Sequence, residues 1–385
     1  MSVRKISYAP NRFESYGEDE IKAVENCLRS GWIAGNGPMT AEFEQKISKY
    51  FGKKYGIFVN SGSSANLLAL SSLNLSKDDE VITPACTFST TVAPIIQCGA
   101  KPVFIDIGKR LNYVADIKDV IAKINDKTRV IMLPNLIGSK PDWKSLRKYI
   151  NENKLNIILI EDSADTMTCT EYTDISTTSF YASHLITACG SGGMTMYNDK
   201  KIYNIGMQYR DWGRIGDNSE CVDDRFNNKV DNVVYDWKFI YSVIGYNFKS
   251  SEVNAAFGLV QFDRLEDIKK KRRLLFERYL DNLKDCCIIR LPDDTNKDDW
   301  LAIPLMVVCD RTELMKHLES NNIQTRVCFS GNITKHDAYL QYSETFKYSD
   351  EVMKSGMLLG CHHGMDLDDV DYVCKKIMEY DMIYA

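Results

Sequence analysis

The sequence predicts an α/β protein: a mostly parallel sheet covered by helices on both faces, followed by a smaller α/β domain. Three observations carry this. Up to about residue 250, short apolar runs alternate with helical stretches, the pattern of strand–helix–strand crossovers. From Ser251 to Leu283 the chain reads as one long helix, with no Pro and no Gly after Gly258. At 385 residues the chain exceeds what a single core usually holds, so two units are expected, 1–250 and 251–385.

Each element has a local reason. The strands are short apolar or β-branched runs bounded by turn formers: Tyr55–Val59, Glu80–Pro84, Pro102–Ile107, Arg129–Pro134, Asn156–Glu161 and Met194–Asn198. Between them Ala65–Leu73 and Trp143–Asn151 read as helices. In the long helix, LEDIKKKRRLLFERYL repeats its apolar residues at helical spacing. Beyond it come a strand at Trp300–Val308, a helix at Arg311–Asn321 and a final helix at Val370–Tyr380. There is no internal repeat and no low-complexity segment.

Composition removes several function classes. The net charge is -5 and no basic run occurs, so a nucleic-acid partner would lack its electrostatic attraction. No stretch approaches about 18 consecutive apolar residues, and the polar start MSVRKISYAPNRFE lacks a leader pattern. A cytoplasmic protein without a membrane partner is expected. The 12 Cys are scattered, with Cys286–Cys287 the sole adjacent pair and no CxxC, which predicts reduced thiols and no metal site.

Three segments carry candidate chemistry. Asn60-Ser61-Gly62-Ser63-Ser64-Ala65 lies between a strand and a helix, where small residues and free N–H groups suit a phosphate or simply cap the helix. Ile157-Ile158-Leu159-Ile160-Glu161-Asp162 ends an apolar strand in two carboxylates, which either meet a ligand in the crevice beyond the strand or cap the next helix. Ser179-Phe180-Tyr181-Ala182-Ser183-His184 precedes Gly190-Ser191-Gly192-Gly193, and its His is either structural or a base.

Together, NSGSSA, the strand-terminal ED, SFYASH with GGM just after it, and GYNFK at 245–249 resemble the sugar aminotransferases of the DegT/DnrJ/EryC1/StrS family. The resemblance runs from Gly31-Trp32-Ile33 to Leu359-Gly360. It implies the type I, aspartate-aminotransferase-like fold, with residues 1–250 as the large cofactor-binding domain. It also implies pyridoxal 5'-phosphate or pyridoxamine 5'-phosphate as cofactor and a homodimer with shared active sites. Gly62 and Ser63 match the phosphate-holding turn, Ser179 a hydroxyl that donates to the phosphate, and Asn247 a residue reaching the neighbouring subunit's cofactor. Phe88 matches the aromatic that stacks on the pyridine ring, and Asp162 the carboxylate that keeps its nitrogen protonated.

Two departures narrow the resemblance. Where the aminotransferases carry the Schiff-base Lys this chain has His184, and an imidazole cannot form an imine. It is, however, a better base at neutral pH, with a pKa near about 6.5 against about 10.4 for the amine. Where they usually carry Gln, this chain has Asp165. Both changes, with Arg210-Asp211-Trp212-Gly213-Arg214 and Thr325-Arg326-Val327, resemble the branch of sugar-nucleotide 3-dehydratases. That branch acts on a nucleotide-linked 4-keto-6-deoxyhexose, which implies His184 as catalytic base. An insertion between Gly213 and Tyr246 resembles the cluster-holding members, yet it contains only Cys221, too few thiolates for an iron–sulfur cluster. L-glutamate is therefore expected as the amine donor in place of a reductase. Arg326 is a candidate for binding an anionic group of the substrate. The rival readings are a 4-aminotransferase working without the Lys and a non-catalytic ligand-binding homologue.

Overall fold

The computed structural model describes residues 5–10, 15–108, 112–216, 221–293 and 300–384. Parts of the polar N-terminal segment (1–4 and 11–14) and of the insertion (217–220) lie outside them.

A seven-stranded sheet forms the larger layer, built from β1 (Tyr55–Val59), β2 (Glu80–Pro84), β3 (Lys101–Ile105), β4 (Thr128–Pro134), β5 (Ile158–Ser163), β6 (Ile175–Ser179) and β7 (Gly193–Tyr197). Its order is β1-β7-β6-β5-β4-β2-β3. The run from β6 to β3 is parallel, while β7 is antiparallel to both its neighbours. Alternation along β4 shows that both faces are covered. Val130 and Met132 join the apolar cluster under the helix Gly62–Ser71, whereas Ile131 and Leu133 join the one under Trp143–Glu152.

β6 is the strand of this sheet that the apolar-run reading does not find, as it also does not find Ile289–Arg290, Thr325–Val327 and Gly356–Gly360 beyond it. Its sequence is ISTTS, and every residue is buried. Its hydroxyls are satisfied inside the fold: Ser176 donates to Glu161, Thr177 to the Asn66 side-chain oxygen and Thr178 to the Ser163 carbonyl. Paired polar groups can occupy a central strand, and hydrophobicity alone cannot reveal them.

The expected single helix from Ser251 to Leu283 is instead two, Glu252–Asp263 and Leu265–Leu283, divided at Arg264. Past Leu265 and Ile268, which still pack with the first helix, the two serve different cores. Ala255 and Leu259 pack with Phe43, Phe58 and Phe180 near the large sheet, whereas Leu275, Phe276, Tyr279 and Leu283 belong to the C-terminal core. At the break, the Arg264 guanidinium donates to the fully buried Glu20 carboxylate at 2.6 Å. A one-residue offset leaves the apolar periodicity almost unchanged.

The smaller layer is a four-stranded antiparallel sheet in the order Ile289–Arg290, Ala302–Val307, Gly356–Gly360, Thr325–Val327. Helices Arg311–Ser320 and Leu367–Tyr384 lie beside it. Ile6 bridges to Ile323, which brings the neighbouring Tyr8 to the seam between the two sheets. Among the described residues no helix is long and apolar enough to cross a membrane.

Candidate active site

The carboxyl ends of β4, β5 and β6 and the turns after β1 and β2 open on one cavity of about 380 Å³. Crevices at strand C-termini are where open α/β sheets bind ligands. Of the residues given a site role in the sequence, Gly62, Ser63, Phe88, Asp162, Asp165, Ser179 and His184 line this cavity, whereas Asn247 and Arg326 do not; Glu161, beside Asp162, is buried outside it and accepts from Ser176 and Asn135.

One end is built from backbone. Ser61 caps the helix Gly62–Ser71, its hydroxyl accepting from the Ser64 N–H at 3.0 Å. The first-turn N–H groups of Gly62 and Ser63 are left without an intrahelical acceptor, beside the positive end of the helix dipole. The turn presses directly on β6: a Cβ at Gly62 would lie 2.6 Å from Cβ of Ser179. Only glycine permits that approach, which places the Ser179 hydroxyl next to the helix N-terminus. An anion such as a phosphate suits this corner.

The other end is a buried carboxylate. Asp162 Oδ2 accepts from Asn66 Nδ2 and from the Thr91 hydroxyl, both at 2.8 Å, and Oδ1 accepts from the Ala164 N–H at 3.2 Å. Burial raises its pKa, and these three donors work against that rise. A cationic ligand group meeting Asp162 would offset the remaining desolvation. The sequence reading missed both side-chain donors. Asn66 had a signal, lying one helical turn beyond Gly62, whereas Thr91 reaches Asp162 from another element with no local pattern.

His184 and Asp165 occupy the wall between. The His184 side chain is 17% exposed, with Nε2 4.0 Å from Asp165 Oδ1. Its Nδ1 is sealed from solvent and has no hydrogen-bond partner of good geometry among the described residues. Burial pushes the imidazole down to about 4, with the Ser179 backbone opposing and the Arg272 charge adding to the fall. Burial likewise pushes the Asp165 carboxyl up to about 7, with the Ile137 N–H opposing and nearby Asp162 adding to the rise. At neutral pH the imidazole is therefore the free base.

Aromatic rings shape the rest. Phe88 is 53% exposed and meets Phe329 edge to face at a centroid distance of 6.4 Å. An exposed ring on the cavity wall offers a stacking face to a planar ligand. Tyr8 lines the cavity, and the Arg326 guanidinium stands over its ring at 5.4 Å, so Arg326 reaches the rim indirectly. Asn247 is exposed, on a bridge to Asp211 next to the Ser61 turn, and lies outside this cavity. Cys221 is exposed, and among the described residues no group of three or more His, Cys, Asp or Glu is arranged to hold a metal ion.

The DegT/DnrJ/EryC1/StrS aminotransferase family matches residues 14–378, and the chain belongs to it. A dTDP-4-dehydro-2,6-dideoxy-D-glucose 3-dehydratase of Saccharopolyspora spinosa is 32% identical over 94% of this chain and 84% of its own. A GDP-perosamine synthase of Vibrio cholerae is 29% identical over 94% and 96%. Among solved structures, that of E. coli GDP-4-keto-6-deoxy-D-mannose-3-dehydratase with bound hydrated PLP superposes with a TM-score of 0.83 and 27% identity, covering 97% of this chain and 100% of that one. The fold is thus the PLP-dependent aminotransferase fold expected from the sequence motifs.

Proposed function

We propose that this family member is a pyridoxamine phosphate-dependent 3-dehydratase that removes the C3 hydroxyl of a nucleotide-linked 4-keto-6-deoxyhexose. The observation that carries the reading is His184: a neutral imidazole, only 17% exposed, on the cavity wall, at the sequence position where aminotransferases hold their cofactor by Lys.

The residues present fit pyridoxal or pyridoxamine phosphate. Gly62, Ser63 and Ser179 would hold the phosphate, Asp162 the ring nitrogen, and Phe88 the ring face. When bound, the cofactor supplies an electron sink for bond breaking next to its amine. His184 takes a proton from carbon at its imidazole, and as imidazolium it faces the C3 hydroxyl that departs as water. Its lowered pKa keeps it unprotonated at neutral pH and makes its imidazolium a stronger acid, quick to return that proton. Three hydrogen bonds favour the ionised form of Asp162 against the burial that raises its pKa, and Tyr8, Phe88 and Phe329 restrict water.

Removing the oxygen requires two electrons. L-glutamate supplies them, leaving as its 2-oxo acid with release of ammonia, so no iron–sulfur cluster or reductase enters. Arg326 binds an anionic group of substrate or donor at the rim, where Tyr8 already receives its guanidinium. Asn247, outside this cavity, serves the cofactor of a second copy in a homodimer.

A 4-aminotransferase reading is favoured by the perosamine synthase relative. One experiment separates the two. Purified protein, cofactor and a panel of nucleotide-linked 4-keto-6-deoxyhexoses are incubated with and without glutamate and followed by mass spectrometry. A glutamate-dependent product lacking one oxygen supports the dehydratase. A 4-amino sugar retaining that oxygen, or turnover only with added reductase and iron, overturns it.

A further inference from the structure

The turn after β4 holds an unusual residue. Ile137 adopts φ 60°, ψ 0°, a left-handed conformation that β-branched side chains rarely take, and it is completely buried. Backbone strain of this kind persists where surrounding contacts over-determine it, and it concentrates at functional sites. Here both peptide groups of Ile137 are engaged. Its carbonyl accepts from the Leu301 N–H at 2.9 Å, and its N–H donates to Asp165 Oδ2 at 2.9 Å.

The second bond fixes the Asp165 carboxyl by one oxygen. The other, Oδ1, is directed at Nε2 of His184 across 4.0 Å within the cavity. Separations of this length are common in unliganded sites and shorten when the ligand enters. Asp165 itself is buried. A carboxyl held through one oxygen by the N–H of a strained turn, with its other oxygen facing an imidazole, is arranged to act on that imidazole.

We infer that Asp165 is a positioning residue for His184: the Ile137 turn clamps one carboxyl oxygen so that the other aligns the imidazole and sets which ring nitrogen carries the hydrogen. This rests on the reading of His184 as the base. A protonated Asp165 donates to Nε2 and leaves the hydrogen on Nδ1; an ionised Asp165 accepts from Nε2 and reverses the tautomer. With Asp165 titrating at about 7 and His184 at about 4, the pair shares one proton over the intervening range and keeps it on the carboxyl. The other groups bearing on the pair are Asp162, Tyr8 and Cys328 near Asp165, and Arg272 near His184.

The test is 15N NMR of the cofactor-free, histidine-labelled protein. There are five His, and the His184 ring signals are identified by their loss in His184→Asn. In the wild type these signals change in a step centred near pH 7, before the imidazole protonates at lower pH; in Asp165→Asn that step is gone. Among active preparations Asp165→Asn lowers kcat by about 10²-fold with little change in KM, as expected for a misaligned base. A His184 signal flat between pH 6 and 8 in the wild type overturns the inference, so it is exposed even if the variant fails to fold. The same step in wild type and variant also overturns it. If the signals respond as expected but no sugar is dehydrated, the functional reading fails while the positioning stands.

Discussion

Gly62 and Ser179 touch: a methyl group on the glycine would overlap the serine Cβ at 2.6 Å. This contact joins the first turn of a helix to the end of β6 and creates the anion-binding corner. Gly62→Ala must push one of the two away. The expected result is a loss of about 1–3 kcal/mol in stability. Calorimetry reads the stability change, and absorbance titration should show weakened pyridoxal phosphate binding.

The Asp162 carboxylate holds two side-chain donors and one backbone donor inside the protein. Asp162→Asn keeps the shape but removes the charge that a protonated ring nitrogen would meet. Charged hydrogen bonds are worth about 1.5–3 kcal/mol, so cofactor Kd should rise roughly 10- to 100-fold. Fluorescence or absorbance titration of the cofactor-free protein measures it. Unchanged affinity would remove Asp162 from the cofactor site.

His184→Asn replaces the base with an amide of similar reach. Dehydration should fall by about 10²–10⁴-fold while circular dichroism and thermal melting stay near wild type. Near-normal turnover would show that another group moves the proton.

Folding and pH are linked through the same wall. The Asp165 pKa rises from 3.8 to about 7 on folding, so the folded state binds its proton more tightly. That contribution is complete below pH 3.8 and is lost as pH climbs through 7. His184 runs the other way. Its pKa falls from 6.5 to about 4, so its contribution is present above 6.5 and is lost on acidification through 4. Melting temperatures of Asp165→Asn should therefore gain on the wild type between pH 4 and 7. Those of His184→Asn, near the wild type at neutral pH, should draw ahead of it as pH falls from 6.5 to 4, because the variant lacks the acid-side loss. Parallel curves for all three proteins would contradict both assignments.

Asn247 lies outside its own cavity, and its proposed role needs a second copy. Mixing inactive Asn247→Ala with inactive His184→Asn should then restore about a quarter of wild-type activity, because half of the dimers are mixed and each has one intact site. Light scattering establishes the dimer first. No recovery on subunit exchange would confine Asn247 to a structural role.

The sequence alone determined the α/β class, most strands of the large sheet and the residue types available to the site. Apolar runs located β1, β2 and β4 closely because burial on both faces demands continuous hydrophobicity. The motifs likewise singled out Gly62, Asp162, Ser179 and His184, of which Gly62 and Asp162 lie just beyond or at the end of such a run. β6 escaped because its buried hydroxyls are satisfied by partners distant in sequence, and the break at Arg264 because one residue barely disturbs a helical period. Tertiary structure alone decided the electrostatics. Burial separates the titration of Asp165 and His184, Thr91 meets Asp162 across 71 positions, and a strained Ile137 turn faces Asp165 across 28. Proton affinity depends on what surrounds a group in space, and that neighbourhood exists only once the chain has folded.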